Sequence, residues 1–556
     1  MRPLKFALLP AWVFALVSCV LLSQNRPQQG LIRFDLKRIP FRLENDETPG
    51  RNAPESMAGG VAVFDYNHDG RPDIFFTNGA NIATLKKDSP KYSNHLFRND
   101  GNSVFTDVTK QAGLEGSGYD IGVAVADYDN DGCTDIFIAG VYHNTLYHNN
   151  CDGTFTDVTL KAGLDKSIDP QYGPLWSVAA AWVDVNNDGL LDLFVVNYMQ
   201  WKYSSQPLCS FRGVADYCHP RYYKGQPSQL FLNNGNGTFR DVSKEWGIRD
   251  HVGKGMGVGV ADYDHDGRSD LFVTNDAEYN FLFHNLGSKF EEVAFQTGVA
   301  LAEDGAFISG MGLDFRDYNN DGWPDIVFVA LNNQTFPVFQ NTGKGDFQEV
   351  TNASGMRVLS ASMAGYGAGL YDFDNDGWKD LFVTRGHVES QPLPGTEIDQ
   401  PNTVFRNLGP SGKWEAFTAE AGLTAAPPAR HRGCAFGDFD GDGRVDVIAT
   451  ALGQQAEIWM NRSPHSGHWL DIALRGVKSN RDGIGASIKI VSKSGIQFNH
   501  MTTSVGYASS SDGPVHFGLG ADTRVGLVEI HWPSGIVQTL HDIAADQVLT
   551  VVEMQK

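Results

Sequence analysis

The chain has 556 residues, 41% of them hydrophobic, and sets 66 acidic against 44 basic side chains for a formal net charge of −22. No basic stripe interrupts this acidity, which argues against nucleic acid as a partner. Beyond Leu22 no segment is apolar and long enough to span a bilayer.

The N-terminus, Met1-Arg2-Pro3-Leu4-Lys5 followed by a mostly apolar run from Phe6 to Leu22, has the layout of an export signal. Residues 1–24 therefore read as a signal peptide or N-terminal anchor. Leu16-Val17-Ser18-Cys19 resembles a bacterial lipobox, yet Val20-Leu21-Leu22 carries the apolar run past it. A cleaved signal, a lipid anchor and an uncleaved anchor all remain open. An exported chain would be secreted, periplasmic or held at the cell surface. The membrane would enter only through that N-terminus.

From residue 30 to about 465 one nine-residue pattern, Asp-x-[Asp/Asn]-x-Asp-Gly-x-x-Asp, recurs seven times. Its oxygen-bearing positions are Asp65, Asn67, Asp69 and Asp73 in the first copy, and Asp127, Asp129, Asp131 and Asp135 in the second. Next come Asp184, Asn186, Asp188 and Asp192, then Asp262, Asp264, Asp266 and Asp270. The last three copies carry Asp317, Asn319, Asp321 and Asp325; Asp372, Asp374, Asp376 and Asp380; and Asp438, Asp440, Asp442 and Asp446. Four oxygen side chains around a tight Gly turn suit a hard cation taking six to eight oxygens, hence Ca²⁺. An EF-hand is excluded. Its position 12 needs a Glu, and here that position is Phe76, Ile138, Val195, Val273, Phe328, Val383 and Ala449.

Clustered carboxylates repel one another unless a cation sits among them. Seven divalent ions carry +14 and would bring the formal −22 to −8. The acidity is therefore site chemistry rather than a field for a basic partner, and the ions read as structural staples.

Each loop follows a strand of small residues, such as Gly59-Gly60-Val61-Ala62-Val63, suited to crowding round an axis. After the loop comes a buried strand. A third element, apolar-aromatic-x-Asn, follows (Leu96-Phe97-Arg98-Asn99, Leu282-Phe283-His284-Asn285), and then a turn and a fourth strand such as Phe105-Thr106-Asp107-Val108. Four strands in each of seven repeats predict an all-β chain: a seven-bladed β-propeller with a small C-terminal β domain. The seventh copy lacks a fourth strand of its own. Phe41-Arg42-Leu43, placed 24 residues before its loop Asp against 22 for Phe105, is expected to complete that blade and latch the ring.

Ion loops and Asn-Gly hairpins should share one face, and the second turn of each blade the other. The second turn spans 26, 41 and 27 residues from last loop Asp to Asn in copies 1, 3 and 6, against 14 to 16 elsewhere. Long loops on a rigid scaffold are where binding resides. The copy 3 insertion carries Trp201, Tyr203, Arg212, Tyr217, His219, Arg221, Tyr222 and Tyr223, for recognition or for packing on neighbouring blades. Cys209 and Cys218 within it are a candidate disulfide, Cys133 and Cys151 a second, and Cys434 a buried thiol.

The loops and Gly-Ala strands resemble the FG-GAP/VCBS repeats of integrin α-type propellers. Residues 468–556 resemble the ASPIC/UnbV domain of cartilage acidic protein-like chains, through Gly476–Ala486, His516-Phe517-Gly518-Leu519-Gly520 and Trp532-Pro533-Ser534-Gly535. That resemblance implies an exported, calcium-binding scaffold for extracellular protein or glycan recognition and adhesion, without catalysis. From the residues themselves, Trp532-Pro533 reads as a turn and core feature. The alternative is a propeller lyase or hydrolase with its site opposite the ion loops. No Gly-x-Ser-x-Gly or His-Glu-x-x-His motif supports it, and His219, His387 and His431 read as surface or structural.

Overall fold

A computed structural model describes residues 32–391 and 397–555. The expected signal or anchor, with Cys19, lies outside the described residues. Among the described residues seven sheets follow one another, each built on four antiparallel strands with one acidic loop; the first gains a C-terminal hairpin and the fourth the short strand Ile308–Ser309. Blade 2 is representative: Asp120–Ala126, Asp135–Gly140, Thr145–Asn149 and Phe155–Asp157, from the axis outward. In blade 7 the outermost strand is N-terminal. Phe34–Arg42 pairs antiparallel with Gln455–Asn461, so the first strand of the chain completes the last sheet.

The latch stands, but its anchor differs from the one expected by spacing. Phe34, not Phe41, lies opposite Asn461, as Phe105 lies opposite Asn99 and Phe155 opposite Asn149. Phe41 lies within the register break between Arg38 and Arg42, and its ring stacks on Phe76 of blade 1 at 4.2 Å.

Ring closure explains the small inner strands. Five residues before each loop Asp stands Gly60, Gly122, Ala179, Gly257, Gly312, Gly367 or Gly433. A Cβ at Gly122 would lie 2.1 Å from the Val178 carbonyl oxygen of blade 3, and one at Gly433 2.4 Å from that of Gly59 in blade 1. The inner backbones thus touch. Gly60 N–H donates to Ile121 O at 2.9 Å, and the Thr450 hydroxyl to Gly59 O at 2.6 Å, joining blades 1 and 2 and blades 7 and 1.

The C-terminal strands form a three-stranded and a four-stranded sheet. One core cluster joins Leu470, Ile472 and Trp532 to Tyr128 and Trp182 of the propeller. The module sits on the face that carries the acidic loops. Asp482 accepts from Asp127 N–H at 2.8 Å, Lys379 Nζ donates to Phe498 O at 2.8 Å, and the His516 ring is bonded to Asn375 Oδ1 at 2.9 Å.

From this module the hairpin Ser504–Ser511 enters the ring along its axis. It pairs with blade 1 (Ser510 opposite Ala62) and bonds Val123 N–H of blade 2 through Ala508 O at 3.1 Å. It also bonds Val258 O of blade 4 at 2.7 Å, Leu313 O of blade 5 at 2.8 Å and Phe436 N–H of blade 7 at 3.0 Å. Only a segment on the axis reaches five blades at once.

The opposite face is covered by the insertions. Trp201, Tyr217 and Tyr223 are buried, while Tyr203 and Tyr222 are about half exposed, so the copy 3 insertion packs with part of its aromatic set and presents the rest. It crosses the face: Asp216 accepts from Ser390 N–H at 2.8 Å in the blade 6 insertion, and Gln206 donates to Arg51 O at 3.3 Å. Cys209–Cys218 and Cys133–Cys151 are disulfides, and Cys434 is a buried free thiol. His387 and His431 are buried, whereas His219 is exposed.

Candidate metal centres on the loop face

The seven loops share one backbone design. The Gly at position 6 has φ between 78° and 99° in every copy. The position 4 residue is also left-handed: His68, Asn130, Asn187, His265, Asn320 and Asn375 have φ of 54° to 60°, and copy 7 has Gly441. Those residue types are a signal that the oxygen pattern had overshadowed, since few side chains tolerate that region. The position 4 amides tie loops together. Asn130, Asn187, Asn320 and Asn375 each donate to the position 6 carbonyl of the next blade, at 3.0, 2.9, 2.8 and 3.0 Å.

Position 1 is oriented by its own turn: one carboxylate oxygen accepts the Gly N–H at 2.7 to 2.9 Å in all seven copies. Position 9 is fully buried in every copy (Asp73, Asp135, Asp192, Asp270, Asp325, Asp380, Asp446). One of its oxygens accepts the position 2 N–H at 2.9 to 3.3 Å. The other accepts the N–H of the signature Asn at 2.6 to 2.8 Å. Position 9 thus pins the loop to the third strand as well as facing the acidic cluster.

That Asn does more than open a turn. Its side-chain amide donates to the position 2 carbonyl of the preceding blade, at 2.8 to 2.9 Å around the whole ring.

Carboxylate oxygens converge within 4.8 Å in copy 2 (Asp127, Asp129, Asp135) and copy 4 (Asp262, Asp264, Asp266). Burial, followed by neighbouring carboxylates and offset in part by backbone N–H groups, pushes these acids upward. Asp184, Asp262, Asp317 and Asp438 rise to about 6, Asp127, Asp270 and Asp376 to about 7, and Asp73 and Asp135 to about 8. Acids held so close and so dry are hard to ionise with nothing between them. A divalent cation reverses that penalty, and an all-oxygen donor set with a seventh-position carbonyl fits a hard ion.

Basic residues outside the pattern also meet the loops. Arg71, Arg268 and Arg444 at position 7 pair with Asp69, Asp266 and Asp442. Arg406 spans Asp374 and Asp376 at 2.7 and 2.6 Å, and Arg462 reaches Asp440 at 2.6 Å. His148 and His284 face the acids of copies 2 and 4.

The catalytic alternative places its site on the insertion face. A cleft of about 280 Å³ there is bordered by Glu47, Arg51, Asp399 and Arg430. Glu47 is held by Arg51 and, at 2.6 Å, by Arg430, and among the described residues no histidine lines the cleft.

Comparison with known proteins places the repeats and the C-terminal module in known families. The FG-GAP-like repeat model matches residues 65–138, 127–195, 222–273, 262–328 and 317–383, and the ASPIC and UnbV model matches residues 476–556. Cartilage acidic protein 1 of Homo sapiens is 25% identical over 526 residues, 90% of this chain and 72% of that protein. Its Xenopus tropicalis counterpart is 25% identical over 90% of this chain and 74% of its own length. Among solved structures, an Agrocybe aegerita lectin specific for non-reducing terminal N-acetylglucosamine aligns with a TM-score of 0.40 and 16% identity, covering 72% of this chain and 86% of the lectin. On its repeats and its C-terminal module, the chain belongs to the FG-GAP-like repeat family and carries an ASPIC and UnbV domain.

Proposed function

We propose that this chain is an exported, calcium-stabilised propeller scaffold that recognises an extracellular protein or glycan and performs no chemistry of its own. The observation that carries the reading is the position 9 carboxylate of all seven loops, fully buried and pushed above its ordinary range by that burial, which is unfavourable at neutral pH without a cation beside it. Two disulfides support export, and among the described residues no helix is long and apolar enough to cross a membrane.

For recognition, the C-terminal module rests on part of the loop face, at Asp127, Lys379 and Asn375, and the ions are read as staples rather than as contact points. The surface left to a partner is the copy 3 insertion, where Tyr203, Leu208, Val214 and Tyr222 are 49%, 92%, 49% and 55% exposed on a disulfide-braced loop. Exposed aromatic and apolar groups on a rigid loop suit a sugar face or a protein surface.

The test is a glycan-array and protein pull-down with the full chain and a Tyr203→Ser/Tyr222→Ser variant, each with and without chelator at a temperature where the fold persists. The reading expects binding that the variant loses and chelation spares. A partner retained equally by the variant refutes the assignment of this loop.

A further inference from the structure

The x in the apolar-aromatic-x-Asn element meets the acidic loop of its own blade in blades 2, 4, 5 and 6, and its identity varies from blade to blade. Blade 6 has Arg406, spanning two loop carboxylates, and blade 5 has Gln340, whose Nε2 lies 3.4 Å from Asp321. Arg98 of blade 1 turns outward to Asp100 at 2.7 Å, while Leu232 and Met460 bring no nitrogen or oxygen. Blades 2 and 4 have His148 and His284.

Both rings stand where a ligand would. His148 Nδ1 lies 3.3 Å from Asp129 and 3.2 Å from Asp135, and His284 Nδ1 lies 3.2 Å from Asp270 and 3.7 Å from Asp264. Donors bound to one ion at right angles stand about 2.9 to 3.4 Å apart. His284 Nδ1 is hydrogen-bonded to Asp270 at 3.2 Å, and His148 Nδ1 is buried between Asp129 and Asp135. Each ring thus brings one nitrogen to two loop carboxylates at the spacing that ligands of a shared ion would have. The Tyr at loop position 2 holds each ring edge-on, Tyr128 against His148 at 6.4 Å and Tyr263 against His284 at 5.7 Å.

We propose that blades 2 and 4 are mixed nitrogen–oxygen sites for a first-row transition-metal dication such as Mn²⁺, with His148 joining Asp129 and Asp135, and His284 joining Asp264 and Asp270. The inference rests on the reading of the loops as ion sites and divides them by donor chemistry. Ca²⁺ takes oxygens, whereas imidazole beside carboxylates favours transition ions. The remaining loops keep oxygen donors and take Ca²⁺.

The experiment uses the full chain, stripped of metal and dialysed against micromolar Mn²⁺ in millimolar Ca²⁺. Bound metal is counted by elemental analysis, and nitrogen coupling to the bound Mn²⁺ is read by pulsed electron paramagnetic resonance. The expectation is about two Mn²⁺ per chain with imidazole coupling. His148→Gln and His284→Gln, which place in these blades the residue blade 5 already has, should each lose one Mn²⁺, and the double variant both, with Ca²⁺ content at the other loops unchanged. Complete displacement by Ca²⁺, Mn²⁺ without nitrogen coupling, or a Ca²⁺-replete double variant that keeps its Mn²⁺ overturns the proposal. A chain that binds Ca²⁺ but no Mn²⁺ refutes only this assignment. One that binds neither ion refutes the loop reading beneath it.

Discussion

Stripping the ions should invert how the stability of this chain depends on pH. In the metal-free fold Asp184, Asp262, Asp317 and Asp438 are raised by burial from an ordinary 3.8 to about 6, and Asp127 and Asp376 to about 7. The folded chain therefore holds protons that the unfolded chain has released, and stability falls as pH climbs from about 4 through 7. At about 1.36 kcal/mol per pH unit, a carboxyl raised to about 6 withdraws roughly 3 kcal/mol by neutral pH. Halving that for water reaching the turn, the four acids near 6 withdraw on the order of 6 kcal/mol, comparable to the net stability of a whole domain. With Ca²⁺ bound the same acids ionise more readily folded than unfolded. Their contribution is then present above about pH 4 and lost below it. Urea midpoints, followed by tryptophan fluorescence at about pH 5 and pH 8, should fall with pH for the stripped chain and hold or rise for the loaded one. A stripped chain whose midpoint does not fall across that range, or which equals the loaded chain at the upper pH, refutes the reasoning.

Two further outcomes follow from the ring. Asn285→Ala leaves the carbonyls of Val185 and Ser269 and the Gly287 N–H without partners, at a cost of about 3–5 kcal/mol. Asn236→Ala, in an exposed turn, should cost under about 1 kcal/mol, and equal urea midpoints for the two would show that the inter-blade amide carries nothing. Tyr507→Ala empties a fully buried site on the axis and unpairs Met57 O, with an expected loss of about 3–5 kcal/mol. Tyr507→Phe, which removes only the hydroxyl bonded at 2.7 Å, should lose about 1–3 kcal/mol. If unfolding of the C-terminal module and the propeller separates into two transitions in the wild-type chain, the axial hairpin does not couple them.

Much of the architecture is local and so could be read from the chain. A loop's acidic residues lie within nine positions, strand alternation within six or seven, and the sevenfold recurrence multiplies a weak motif into a fold. The latch was legible as a missing fourth strand, although spacing pointed to Phe41. The register is set by Phe34, because it is the pairing with Asn461 that aligns this strand with its counterparts. The packed aromatics of the copy 3 insertion were not separable from its exposed ones, since Trp201 and Tyr203 differ only in what the fold lays over them.

The repeat period, the oxygen donors, the glycines at the crowded axis and the two disulfide pairs belong to the sequence, because each depends on neighbours in one blade or on a backbone angle few residues accept. The tertiary structure alone decided where the C-terminal module rests, and that the hairpin Ser504–Ser511, rich in serine around the buried Tyr507 and with no periodic signal, runs down the axis. It alone gave the signature Asn its second partner: Asn285 meets Val185 across 100 residues of chain. Such bonds join groups whose separation along the chain is set by blade closure, and no local pattern of residues records what closure brings together.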